Sequence, residues 1–166
     1  MVIPKCRAIL NRLDEIPLAF EHRDCSPWNL MVTPGGDLAA LDWESAEEDG
    51  LPALDLTYFL TYLAFFIDGA MKKGNYLESY RSASDPTTLA GQLREACQQR
   101  YIESTGLNPD WLHPLRLLTW LIHARSEVRH LSADAGGLPA SADLKRSLFY
   151  NLVLEELALG QSPAQA

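Results

Sequence analysis

Residues 21–44 read Glu21-His22-Arg23-Asp24-Cys25-Ser26-Pro27-Trp28-Asn29-Leu30-Met31-Val32-Thr33-Pro34-Gly35-Gly36-Asp37-Leu38-Ala39-Ala40-Leu41-Asp42-Trp43-Glu44. Two apolar runs, Leu30 to Val32 and Leu38 to Leu41, flank Thr33-Pro34-Gly35-Gly36-Asp37, whose glycines tolerate the positive backbone angles of a tight turn. The pattern predicts a β-hairpin. Asp24 and Asn29 lie in the irregular loop entering its first strand and Asp42 ends its second, so antiparallel pairing brings three polar side chains to one end of the sheet. A carboxylate and an amide oxygen arriving together can ligate Mg²⁺, a hard cation that prefers oxygen and keeps several waters. The other carboxylate, Asp24, is left to accept a hydroxyl proton. That division of labour suits phosphoryl transfer, in which a protein mainly positions reactants and offsets charge.

His22-Arg23-Asp24, four residues, then Asn29, with Asp42 following, resembles a kinase catalytic loop and its metal-binding aspartate. With Asp42-Trp43-Glu44 and Leu51-Pro52-Ala53-Leu54-Asp55-Leu56 added, the stretch is similar to the aminoglycoside phosphotransferase and choline kinase-like family, which has protein-kinase architecture but acts on small molecules. The motifs cover residues 3–60. In that family the loop usually reads His-Gly-Asp, so Arg23 departs toward the protein-kinase form. The resemblance implies Asp24 as catalytic base, Asn29 and Asp42 as ligands of Mg²⁺ and nucleotide, and ATP or another nucleoside triphosphate as phosphoryl donor. It also implies His22 packed beneath the metal-binding loop and Asp55 hydrogen-bonded to the catalytic-loop backbone, with a helix-dipole charge as the alternative for Asp55.

The implied fold is α+β and mainly α: a kinase-like C-terminal lobe in which a small hairpin carries the catalytic and metal loops ahead of about four helices. One lobe is expected over 1–160, with a leading helix through residue 17, the catalytic and metal loops over 18–50 and a helical subdomain over 51–160. A flexible tail follows over 161–166. The nucleotide-binding lobe is missing from this reading. Only 21 residues precede His22, and the adjacent glycines, Gly35-Gly36, serve the hairpin turn. The chain alone is therefore expected to bind Mg-nucleotide weakly and turn over slowly or not at all. A separate or deleted N-terminal lobe is the expected partner, together with a small hydroxyl acceptor, and the face left bare invites self-association.

A chain of 166 residues that is 47% hydrophobic can build a core, and a net charge of −8 opposes non-specific nucleic-acid binding. Cys6, Cys25 and Cys97 are odd in number and widely spaced, which fits neither a disulfide framework nor a CxxC metal site and points to a reducing cytoplasm. The longest uncharged apolar run, Leu56 to Ile67, falls short of the ~20 residues a membrane-spanning helix requires.

Helices are predicted over Ile3–Glu15, Ala53–Asp68 and Thr87–Glu103, from Asn108-Pro109-Asp110 onward, and from Ser141 or Asp143 to Leu159. Leu18–Glu21 reads as a short strand. Glu44–Gly50, Ser79–Pro86 and Ser132–Ala140 read as loop or polar connection. Trp111, Leu115, Leu118, Ile122 and Leu131 form the expected apolar face of the fourth helix, with Trp111, His113, Trp120, His123 and His130 as core or flank residues.

Other readings of the same residues stay open. Arg23 can hold an acidic loop residue or stand in solvent. Glu44 faces the acceptor beside Asp42 only if the strand continues that far. Glu47, Glu48 and Asp49 can attract a cationic acceptor or simply be solvated. Cys25 beside His22 has the makings of a thiol nucleophile without further support. Asp42 and Glu44 as a glycosidase pair would leave the His22 to Asn29 spacing unused, and a non-catalytic kinase-like binding module is the alternative outside enzymology. A protein kinase fits less well, since 12 residues between Asp42 and Asp55 leave no room for a long activation segment.

Overall fold

The computed structural model describes residues 2–13, 15–135 and 141–159, with side chains described outside 131–135 and 141–143. It forms two compact units, Glu15–Pro109 and Met1–Asp14 with Asp110–Ala166. The architecture is α+β and mainly helical, with two small two-stranded antiparallel sheets.

All the candidate site residues belong to the Glu15–Pro109 unit. Strand β1 (Ala19–Glu21) leads into the loop that carries Asp24, and a 3₁₀ turn over Pro27–Asn29 delivers the chain to β2 (Leu30–Val32). Strand β3 (Leu38–Ala40) pairs with β2 in the register Leu30↔Ala40, Met31↔Ala39, Val32↔Leu38. The turn closes through Thr33, whose N–H donates to the Asp37 carbonyl at 2.8 Å and whose hydroxyl accepts the Asp37 N–H at 3.1 Å. The expected hairpin is present.

Strand β4 (Glu47–Gly50) occupies most of the stretch read as loop. Its sequence, Glu-Glu-Asp-Gly, has no strand propensity, and it is extended because it pairs with β1. The pairing shifts register between Ala19↔Gly50 and Glu21↔Glu47, and the close approach requires a glycine. A Cβ on Gly50 would lie 2.2 Å from Glu21 Cγ and Cδ.

Helix α2 (Leu54–Ile67) is the core of this unit: Leu54, Tyr58, Leu60, Ala64 and Phe65 are buried at helical spacing, each large side chain contributing about 1.5–3 kcal/mol. Helices α3 (Ala70–Lys73), α4 (Tyr76–Ser82) and α5 (Leu89–Thr105) pack behind it. Ala64, Ala83 and Ala90 meet in one buried cluster, small residues that let the backbones approach. Helix α4 takes up part of the expected polar connection and buries Ser79 and Tyr80, its short polar sequence giving no periodic signal. The Thr88 hydroxyl caps α5 by accepting the Gly91 N–H at 3.0 Å, and Gly106, at φ 70°, ends it.

In the other unit α1 (Val2–Leu10) stops short of Glu15, and the amides just past its end bond three residues back, Arg12 N–H to the Ile9 carbonyl at 3.1 Å and Leu13 N–H to that of Leu10 at 3.0 Å. Helix α6 (Leu112–Ala135) runs through the start of the expected Ser132–Ala140 loop; residues 136–140 lie outside the described residues, as does the tail from Gly160. Among its described side chains the deepest apolar ones are Leu115, Leu117 and Trp120 rather than Leu118 and Ile122, and Leu131 lies outside them. The expected single last helix is two, α7 (Ser141–Arg146) and α8 (Leu148–Leu159), broken where Ser147 Oγ accepts the Tyr150 N–H at 3.0 Å. Glu156 of α8 is fully buried and is satisfied by Arg116 of α6, Nε–Oε1 at 3.1 Å and Nη2–Oε2 at 3.2 Å. His113 Nε2 lies 3.0 Å from the Glu156 carbonyl, and Trp120 stacks on Phe149.

Candidate active site

The loop that carries Asp24 leaves β1 at a buried Glu21 and His22 and is held from three sides. From α2, Asp55 Oδ2 accepts the His22 N–H at 2.6 Å and Oδ1 accepts the Arg23 N–H at 2.8 Å. From the hairpin, the Leu41 carbonyl accepts His22 Nε2–H at 2.7 Å, which puts a proton on Nε2. From β4, Glu47 Oε2 accepts Arg23 Nη1–H at 2.7 Å. His22 also lies against the Trp43 ring, centroids 4.4 Å apart.

Asn29 closes the loop on itself. Its Nδ2 donates to the Asp24 carbonyl and to Asp24 Oδ2, both at 2.9 Å, while the Ser26 and Asn29 amides make the local turns onto Asp24 and Ser26 carbonyls. The Leu41 N–H donates to the Asn29 carbonyl at 2.8 Å, extending the hairpin by one rung. Leu41 is thus pinned by its N–H to Asn29 and by its carbonyl to His22, and the next residue is Asp42. Asp24 and Asn29 are in direct contact, and Asp42 follows the backbone rung that joins Asn29 to the second strand. Asp42 itself is exposed.

Among the described residues the non-glycine positions with positive φ are Arg23 at 70°, Asp42 at 62° and Ala53 at 61°. All three flank this site: one precedes Asp24, one is Asp42 just past the second strand, and one starts the helix that carries Asp55. An aspartate visits this region at modest cost, whereas arginine and alanine do so against a preference of about 1–2 kcal/mol. Ala53 is held there by Tyr101 of α5, whose hydroxyl accepts its N–H at 2.9 Å.

Positive φ at Asp42 also corrects an expectation. Strand β3 ends at Ala40 and the chain turns at Trp43–Ala46, where the Ala46 N–H donates to the Trp43 carbonyl at 3.0 Å. Glu44 therefore sits exposed on a turn, and the strand face that would align it with Asp42 is not formed. Of the acidic stretch read as a lure for cations, Glu47 is taken by Arg23.

Below the loop lies an aromatic row: Trp28 meets Tyr62 edge-on at 5.1 Å, and Tyr62 lies 4.7 Å from Tyr58. Burial first, then Tyr62 and the charge of Asp24, push the Tyr58 phenol well above its ordinary range. Burial, aided by Asp55 and Asp24, pushes the Cys25 thiol up to about 11, the opposite of what a nucleophilic thiolate needs. The Glu21 carboxyl titrates above its ordinary 4.5, chiefly through burial, although it accepts the Leu51 N–H. The reading that Arg23 holds an acidic residue of the following stretch is met by Glu47; sequence reading missed Glu21, Gly50 and Tyr101, and Gly50 ahead of Leu51-Pro52 offered the one local hint.

Residues 4–92 match the model of the phosphotransferase enzyme family, APH, a span that takes in Asp24, Asn29, the hairpin, Asp42 and Asp55. The chain belongs to that family. No curated protein and no solved structure matches it. Among the described residues no helix is long and apolar enough to cross a membrane.

Proposed function

We propose that the Glu15–Pro109 unit is the catalytic segment of an ATP-dependent phosphotransferase acting on a hydroxyl of a small acceptor, with Asp24 as base and Asn29 and Asp42 as ligands of Mg²⁺. The observation that carries this reading is the Asn29 side chain bonded to Asp24 at 2.9 Å while its backbone carbonyl holds the strand that ends beside Asp42. Because Nδ2 is committed to Asp24, the carbonyl oxygen Oδ1, the atom a hard cation would take, lies on the other arm of the amide.

The residues present fit such an ion. Among the described residues there is no group of three or more His, Cys, Asp or Glu that could hold a metal. An amide oxygen with one carboxylate is nevertheless a sufficient protein share for a cation that keeps waters and takes phosphate oxygens. Bound there, Mg²⁺ would offset charge on the transferring phosphoryl group. Asp24 Oδ2 holds the Asn29 amide, leaving Oδ1 to accept the acceptor's proton as its oxygen bonds to the γ-phosphorus and the bond to ADP breaks. His22 and Asp55 fix the backbone on either side. Val32 and Leu38, opposed in the hairpin and 68% and 69% exposed, offer an apolar rest for a nucleotide-binding lobe.

The test is calorimetric titration with ATP, with and without Mg²⁺. Weak Mg-dependent binding is expected, lost in Asn29→Ala and Asp42→Ala and kept in Asp24→Asn. Binding that ignores Mg²⁺ sinks the metal assignment. No binding at any concentration leaves the non-catalytic module as the better reading.

A further inference from the structure

Arg23 holds a conformation that glycine adopts freely and arginine does not, φ 70°, immediately before the proposed base. Something must hold it there. Its backbone N–H is fixed by Asp55, and its side chain reaches β4, Nη1 2.7 Å from Glu47 Oε2 and Nε 3.9 Å from Glu21 Oε2. Glu21 and Glu47 are cross-strand partners in the β1–β4 ladder. Two carboxylates directly opposed repel, the more so when one of them is buried like Glu21. The forked guanidinium between them turns that repulsion into a bridge.

We infer that Arg23 is a positioning residue: by neutralising the Glu21–Glu47 pair it ties the β1–β4 ladder to the catalytic loop and sets the backbone from which Asp24 projects. This rests on the reading of Asp24 as base. A glycine here would need no restraint to reach the same φ, so an arginine trades backbone ease for a side-chain anchor. Glu47 acquires a role through that anchor despite lying in a strand with no strand-like sequence.

The experiment is amide hydrogen exchange on the full chain, read at Ser26 and Asn29, whose N–H groups bond the Asp24 and Ser26 carbonyls at 2.9 and 3.0 Å. Glu47→Gln is expected to quicken exchange at these two amides by about two- to fivefold, the coupling typical of a part-exposed ion pair, and to leave α2 amides unchanged. In an Arg23→Gly background the same substitution is expected to do nothing further, and Arg23→Lys to fall between. An equal effect with Arg23→Gly present, or no effect at all, overturns the inference. Quickening that extends equally through α2 overturns it too.

Slow Mg-ATP hydrolysis supplies the readout that a purely structural bond would not move. Glu47→Gln should lower kcat by about two- to fivefold with KM for ATP held, and a raised KM at constant kcat argues against positioning. Where the wild-type chain turns over too slowly to read, the exchange cycle alone decides whether Arg23 anchors the loop, and the role of Asp24 as base is decided separately by Asp24→Asn.

Discussion

The Asp55 carboxylate accepts the backbone N–H of His22 at 2.6 Å, a bond across 33 residues of sequence. Its other oxygen takes the N–H of Arg23, so one side chain of α2 satisfies two donors that no strand or helix would otherwise use. Hydrogen bonds to charged groups contribute about 1.5–3 kcal/mol each, discounted here for partial exposure. Asp55→Ala should therefore cost about 2–3 kcal/mol in urea denaturation, and Asp55→Asn about half of that, since one acceptor oxygen survives. Mg-ATP binding should weaken in the same order. An Asp55→Ala chain with the wild-type urea midpoint would show that the loop holds itself.

Asp24→Asn separates chemistry from structure. Asparagine keeps an oxygen for the Asn29 amide but cannot take a proton, so stability should stay within about 0.5 kcal/mol of wild type. Any measurable phosphoryl transfer should fall by about 10²–10⁴-fold. Turnover within a factor of ten of wild type would remove Asp24 from the reaction.

Much of the site was legible because its residues are local in sequence. The Asp24 to Asn29 loop and the turn at Gly35-Gly36 carry type-specific signals, and the hairpin runs from Leu30 to Ala40 much as its apolar pattern requires. Contacts made by sequence-distant partners left no such trace. Glu47–Gly50 is a strand only because β1 lies beside it, Tyr101 matters only through Ala53 nearly fifty residues away, and Leu41 acts through backbone atoms that any residue supplies. The overextended strand that put Glu44 beside Asp42 failed for a related reason: left-handed backbone at an aspartate is permitted by residue type but dictated by the surrounding structure.

Cys25 tests the electrostatics of the loop without any ligand. With its thiol pushed up to about 11, roughly one molecule in a thousand carries a thiolate at pH 8. Iodoacetamide should label Cys25 far more slowly than a free cysteine peptide at pH 8, the gap narrowing steadily toward pH 11. Peptide-resolved mass spectrometry reads this directly. Labelling at the rate of the free peptide would mean that Cys25 is not shielded by burial and the neighbouring carboxylates.

Glu21 gives the pH dependence. Burial, with the charges of Asp55 and Glu47, outweighs the Leu51 N–H and Arg23, so the folded chain holds this proton more tightly than the unfolded chain does. Ionised Glu21 is therefore a liability that lessens as pH falls through its raised pKa and is gone below the ordinary 4.5. Glu21→Gln cannot ionise and lacks this term, so wild type should gain stability relative to it on going from about pH 8 to about pH 5. Gly50→Ala, whose Cβ would overlap Glu21 Cγ and Cδ at 2.2 Å, should cost about 1–3 kcal/mol. By driving the carboxyl toward water it should also flatten the pH-dependent difference. Urea midpoints across that pH range check both. Wild type gaining stability relative to Glu21→Gln toward high pH instead would mean that ionised Glu21 gains more from Arg23 and Leu51 than it loses by burial.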